Sequence, residues 1–188
     1  MVRDAEATKL RILDAAIVEF SAHGLAGARV ERIAQQSGSN KRLIYVHYGS
    51  KEGLFGATLE KVLNDVADAV PLTIDDLPSY AGKLFDHLLV HPQALRLGLW
   101  RRLERPASGP DETGMYADKV AEMVSGRGGP DSGLAPIDLI VLIVGLAQAW
   151  FISPDDLLTS GGDDPTQTER IQQHRAALVE ATRRLCGA

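Results

Sequence analysis

A single cysteine, Cys186, stands in this chain of 188 residues. One thiol forms no intramolecular disulfide and builds no structural zinc site on thiolates, so a reducing compartment is expected. The opening residues MVRDAEATKLRILDAA carry charges at Asp4, Glu6, Lys9, Arg11 and Asp14 and lack the apolar stretch of a signal peptide, which makes the cytoplasm the expected location. Also missing are a Gly-rich phosphate loop, a nucleophile elbow, a metal signature and a pair of acids set for catalysis, so an enzyme is the weaker class and no cofactor is expected. Nor is there an excess of basic residues, since 20 Lys and Arg face 25 Asp and Glu for a net charge of -5. A uniform surface of that sign would repel nucleic acid. The charge is uneven, however: residues 1–55 hold eight basic and six acidic side chains, and the remainder twelve and nineteen. Phosphate attraction is thereby confined to one end.

No apolar run is long enough for a membrane. The most apolar stretch, Ile137 to Ile152, is shorter than the ~20 residues that cross a bilayer and is interrupted by Asp138 and Gln148. It reads as a helix buried on two faces. The rest reads as helices too. Leu10, Leu13, Ile17 and Phe20 recur at helical spacing over residues 5–23, with His23-Gly24 as the stop. Val30 to Ser37 makes a second helix, Gly38 a turn, and Asn40 caps a third helix reaching Tyr48. Ser50 caps a fourth, from Lys51 to about Val70. After the break at Pro71 come helices over 80–91, 92–105 and, more weakly, 112–125, with a loop at Pro106 to Pro110 between the last two. Residues 125–136, rich in Gly and Pro, read as a flexible loop, and a last helix spans 165–185. The fold class is all-α: a three-helix helix-turn-helix module at 1–49 and a larger helical regulatory and dimerisation domain at 50–188.

Residues 28–55, ARVERIAQQSGSNKRLIYVHYGSKEGLF, carry the most chemistry. Ala34, Gly38 and Ile44 stand where a helix-turn-helix needs a small residue at the helix crossing, a glycine free to take positive φ, and an apolar anchor on the second helix. At about 100° per residue, Ile44 and Tyr48 turn inward while Arg42, Leu43 and Val46 face a major groove. There Arg42 bonds guanine O6 and N7, and Leu43 or Val46 meets a thymine methyl. Asn40 and Lys41 open this helix and join the DNA-facing group, and Tyr45 and His47 flank it within reach of phosphates. Lys51 adds its charge to the free N–H groups of the next helix. A half-buried core tyrosine is the plain alternative at Tyr45.

Thr8, Ile12-Leu13, Ala15-Ala16, Phe20, Gly24, Ile33-Ala34, Gly38, Tyr45, His47-Tyr48 and Ser50-Lys51-Glu52 with Leu54 together resemble the N-terminal signature of the TetR family of transcriptional regulators. The resemblance covers about residues 8–55 and implies a homodimeric repressor on double-stranded DNA, released by a small molecule, with the positions of Tyr45 and His47 on the backbone. Two positions depart from it. Ala28-Arg29 stands where a Thr commonly opens the second helix, leaving Arg29 to replace the phosphate contact by charge but not the cap. Leu43 stands where a small polar residue is common, which favours thymine-containing half-sites. A related helical sensor without DNA binding is the alternative.

Beyond the signature the signals are compositional. Phe85, Trp100, Met115, Tyr116, Gln148 and Trp150 are candidates for an amphipathic ligand's pocket, although aromatics at helical spacing are more often plain core. Ile171, Leu178 and Leu185 lie one heptad apart with His174 and Ala181 between them, and with Val144 and Ala147 they are expected to form a four-helix dimer seam. His87 and His91, four apart on one expected helix, lack a third ligand, so no metal is expected.

Overall fold

The computed structural model describes residues 2–104, 114–126 and 129–187, with the side chains of 2–5, 114–116, 118 and 119 left aside. Among the described residues there are ten α-helices, one 3-10 turn and no strand: α1 (Val2–Gly27), α2 (Val30–Ser37), α3 (Lys41–Tyr48), α4 (Lys51–Ala69), α5 (Leu77–Val90), α6 (Pro92–Glu104), α7 (Gly114–Val124), α8 (Pro136–Ile152), α9 (Asp155–Thr159) and α10 (Thr168–Leu185). No described helix is long and apolar enough to cross a membrane. The expected loop at Pro106 to Pro110 lies outside the described residues. The chain divides into two compact units, Met1–Asp68 with His91–Thr113, and Ala69–Val90 with Gly114–Ala188.

The first unit holds α1 to α4 and α6, with α1 packed on α2 and α6 and α2 packed on α3. Its core joins Ile12, Ala16 and Phe20 of α1 to Ile33, Ile44, Phe55 and Leu97. Phe20 and Phe55 meet edge to face at 5.1 Å. The buried stripe of α1 therefore runs in four-residue steps through Ile12, and Leu10, expected within it, is exposed. Local rules set the ends of the short helices. Gly38 takes φ 64° and ψ 25°, and its N–H donates to the carbonyls of Ala34 and Gln35. Asn40 Oδ1 accepts the N–H of Leu43 at 2.8 Å, and Ser50 Oγ that of Gly53 at 3.0 Å. The stop expected at Gly24 is a break, with φ 67° and ψ -176°, after which α1 resumes to Gly27.

In the second unit α5 packs on α8 and α10, and α7 and α10 pack on α8. Gly82 permits the close approach of α10, since a Cβ there would lie 3.0 Å from Arg175 Nη2 and 3.1 Å from Val179 Cγ2. The Arg175 guanidinium then grips Asp86 with two bonds of 2.7 Å, Nε to Oδ1 and Nη2 to Oδ2. Leu84, Phe85, Leu139, Ile143, Ala147, Trp150 and Leu178 are buried. The chain covers one side of α8 and leaves Ile137, Val141, Leu142 and Ile152 exposed. Helix α10 begins at Thr168 rather than near Pro165 because Asp164 Oδ1 accepts the N–H and hydroxyl of Thr166, closing a turn that competes with the helix. Helix α5 ends at Val90, and His91 contributes its carbonyl to Ala94 N–H at 3.1 Å. His87 and His91 therefore do not share a helix, and among the described residues no three His, Cys, Asp or Glu side chains gather as a metal site.

Candidate nucleic-acid interface

Helix α3 is anchored by two residues of one face. Ile44 is 1% exposed in the core, and the Tyr48 hydroxyl donates to the carbonyl of Lys9 in α1 at 3.2 Å. Opposite that face Arg42 is exposed and Val46 leaves 70% of its surface in solvent, with Tyr45 exposed on the flank between the two faces. Lys41, Arg42, Tyr45 and Val46 line one open depression. A fork donor beside an uncovered branched aliphatic is the chemistry that reads guanine and the thymine methyl. Leu43 is half-buried, and so is His47, whose ring meets that of Tyr48 at 6.2 Å.

The cations are not equally available. Lys41 pairs with Glu31 of α2 and lies 5.9 Å from the centre of the Tyr45 ring. Their hydrogen bond raises the Lys41 pKa and lowers that of Glu31. Lys51 Nζ donates to the carbonyls of Ala26 at 3.1 Å and Ala28 at 2.9 Å, so it ties the start of α4 to the end of α1. Arg29 is the N-cap of α2 in extended backbone, with no side-chain cap of its own. The N–H of Arg29 donates instead to Glu19 Oε1 at 2.7 Å, and the same carboxylate accepts Arg32 Nε at 2.8 and 2.9 Å.

Glu19 thus replaces, from α1, the hydroxyl that the second helix lacks. Sequence reasoning missed it, because Glu19 and Arg32 are 13 positions apart and no periodicity links them. Burial raises the Glu19 pKa, but Arg32 and the Arg29 N–H outweigh it and hold the carboxyl below its ordinary value. The result is a helix pair with a fixed crossing and an outward face of donors and methyls.

Residues 12–58 match the family model for bacterial regulatory proteins of the tetR family, and residues 76–184 the tetracyclin repressor-like C-terminal domain. The chain belongs to the TetR family. It is 40% identical over 183 residues to the HTH-type transcriptional repressor SCO4008 of Streptomyces coelicolor, covering 93% of this chain and 95% of that one. The crystal structure of SCO4942 from Streptomyces coelicolor superposes with a TM-score of 0.80 at 35% identity, covering 95% and 97% of the two chains. A TetR family transcription regulator from Marinobacter aquaeolei shares the fold, with a TM-score of 0.67 at 21% identity over 96% of this chain and 98% of that one. As a TetR-family member the chain is a DNA-binding transcriptional regulator.

The expected pocket residues of this TetR-family chain do not all meet. Phe85 and Trp150 are brought together through His174, whose ring lies 5.5 Å from one and 4.6 Å from the other, with Phe151 5.4 Å from Phe85. The Arg170 guanidinium covers Trp150 at 4.9 Å, and Gln148 is half-buried. Trp100 is not among them: it belongs to the first unit, where its indole N–H donates to the Ser21 carbonyl at 3.2 Å. The side chains of Met115 and Tyr116 lie outside the described residues.

Of the expected seam, Ala147 and Leu178 are buried within the single chain, whereas Val144, Ile171, His174, Ala181 and Leu185 are half-buried. Helix α10 packs on α5 and α8 within the chain, and Gly82 of α5 makes room for Arg175 and Val179 of α10. Among the described residues His174 Nε2 is buried without a hydrogen-bond partner, and burial, followed by the charge of Arg170, lowers the pKa of its ring.

Proposed function

We propose that this regulator is a homodimeric repressor that leaves a pseudo-palindromic operator when a small amphipathic molecule enters its C-terminal body. The observation that carries the reading is the outward face of α3, where Arg42 and Val46 are exposed beside Tyr45 while Ile44 anchors the helix. Residues 1–49 are the reading module in this proposal and 50–188 the regulatory and dimerisation domain. Asn40, Lys41, His47, Lys51 and Arg29 border the reading face and supply backbone contacts.

A second copy is supported by α8, whose Ile137, Val141 and Ile152 form an exposed apolar stripe with Leu142 beside it. Exposed Ala176 and Ala177 on α10 let another helix come close. The seam is accordingly assigned to these outward faces and to the margins at Val144, Ala181 and Leu185. The effector reading draws on Phe85, Trp150 and the unpartnered His174 Nε2, a polar atom within an aromatic cluster. Selection of bound duplexes from random DNA, with sedimentation of the complex, tests all but the effector. A pseudo-palindrome with half-sites about 34 to 36 Å apart, bound by two copies, is the expected result, and failure to enrich any sequence would refute the reading.

A further inference from the structure

Helix α1 breaks at Gly24, and a break leaves backbone groups on both sides without helical partners. Helix α6 answers both. Arg96, Trp100 and Glu104 recur every four residues and so share one face. On the near side of the break, Arg96 Nε and Trp100 Nε1 donate to the carbonyl of Ser21 at 3.1 and 3.2 Å. On the far side, the Glu104 carboxylate accepts the N–H of Leu25 and, at 3.1 Å, that of Ala26. Donors meet the carbonyl end and an acceptor meets the amide end. The approach leaves no room for a side chain, since a Cβ on Gly24 would lie 2.7 Å from both Glu104 Oε1 and Trp100 Cε3.

The resumed turn is also the root of the reading head. The carbonyls of Ala26 and Ala28 hold Lys51 of α4, and the N–H of Arg29 engages Glu19 where α2 begins. Movement of residues 25–29 therefore moves α2, and with it α3. The module's core, centred on Ile12, Phe20, Ile33, Ile44 and Phe55, is built from apolar side chains, with Leu97 the fully buried residue that α6 adds to it. Along the chain α6 lies between two segments of the second unit, residues 69–90 and 114–188.

We propose that α6 is a polar latch on the break in α1, with Glu104 the positioning residue that sets the angle of the recognition helix on operator DNA. The proposal rests on the DNA-binding reading. With the latch closed, α3 is held in one orientation. With it open, the module stays folded and loses sequence-specific affinity before phosphate attraction.

The test compares the full-length chain with Glu104→Ala, Glu104→Gln and Trp100→Phe, titrated against the selected operator and a scrambled duplex, with amide exchange followed at Leu25 and Ala26. Glu104→Ala is expected to weaken operator binding about tenfold, within the usual range of coupling between sites, with less than about a twofold change for the scrambled duplex. The Leu25 and Ala26 amides exchange faster, while those of Ile33 and Ile44 keep their protection. Glu104→Gln, whose amide oxygen still accepts, recovers most of the loss, and Trp100→Phe shows a smaller loss of the same kind. Operator binding by Glu104→Ala equal to wild type would overturn the latch. So would a parallel fall on both duplexes accompanied by lower thermal stability, which marks a merely structural residue. If the wild-type chain selects no DNA, the regulator reading falls as well; wild-type selection with an indifferent Glu104→Ala sinks the latch alone.

Discussion

Glu19 is the most informative position to perturb. Its carboxylate is 6% exposed and accepts the Arg29 N–H and the Arg32 guanidinium, so Glu19→Ala orphans a helix-start amide and a cation together. Breaking a buried pair from one side costs about 3–5 kcal/mol. Arg32 is 41% exposed and can rehydrate, which brings the expected loss to about 2–3 kcal/mol. For a chain of this length that is a fall in Tm of about 4–12 °C. Glu19→Gln keeps one acceptor and is expected to lose about 1–2 kcal/mol.

The pH dependence follows from the lowered pKa of Glu19, which burial alone would have raised. A depressed folded-state pKa means the unfolded chain binds more protons in the acid range, so stability rises with pH there. The contribution is fully present above the ordinary carboxylate pKa of about 4.3 and is lost as pH falls through the depressed value. The difference between wild-type and Glu19→Gln urea midpoints, followed by fluorescence of Trp100 in the same unit, should therefore shrink as pH drops from 7 toward 3. Glu31, Asp164 and Glu180, also lowered, contribute to both curves and cancel. A difference constant with pH, or Glu19→Ala within about 0.5 kcal/mol of wild type, would refute this account of how α2 is held.

Three further outcomes follow from the geometry. Val141→Glu, at a site 59% exposed on α8, should give folded monomers in sedimentation, whereas Leu178→Glu, at a site 4% exposed, should unfold the chain by circular dichroism; a persistent Val141→Glu dimer would remove α8 from the seam. Arg42→Ala should relax preference at one base position per half-site by about 1–3 kcal/mol, while Lys51→Ala should weaken all duplexes alike, lower the salt slope by about one unit and destabilise the chain; unchanged binding for both would mean α3 is not the reading helix. Asn40→Ala removes the acceptor of the Leu43 N–H and should cost about 0.5–2 kcal/mol in urea titration, with Asn40→Asp near wild type; equal stability of the alanine variant would deny the cap.

What the sequence discloses and what it withholds divide by distance along the chain. The span of α2, the turn at Gly38 and the caps at Asn40 and Ser50 each follow from residues within four positions, where backbone bonding and side-chain reach decide. The period of Ile171, Leu178 and Leu185 shows that α10 has a packing face but not what covers it. The same stripe fits a second copy or the chain's own α5; Leu178 is buried within the chain, Ile171 and Leu185 are half-buried, and the approach of α5 to α10 depends on Gly82, 93 positions before Arg175. Trp100 is equally opaque: its partner carbonyl is 79 positions away, and no local rule separates an indole that lines a cavity from one that donates to a broken helix.

Gly24 shows why the division is physical rather than a shortage of rules. Read locally, His23-Gly24 is a stop, because a glycine at positive φ ends helices and the orphaned carbonyls then face water. Whether the chain turns away or resumes depends on what meets the orphaned groups. Here the Ser21 carbonyl and the Leu25 and Ala26 amides are met by Arg96, Trp100 and Glu104, so helix resumes for one short turn before α2. The same dependence makes the turn responsive, because a conformation held by side chains of another helix changes when that helix moves. A stop held by water would transmit nothing to the reading head.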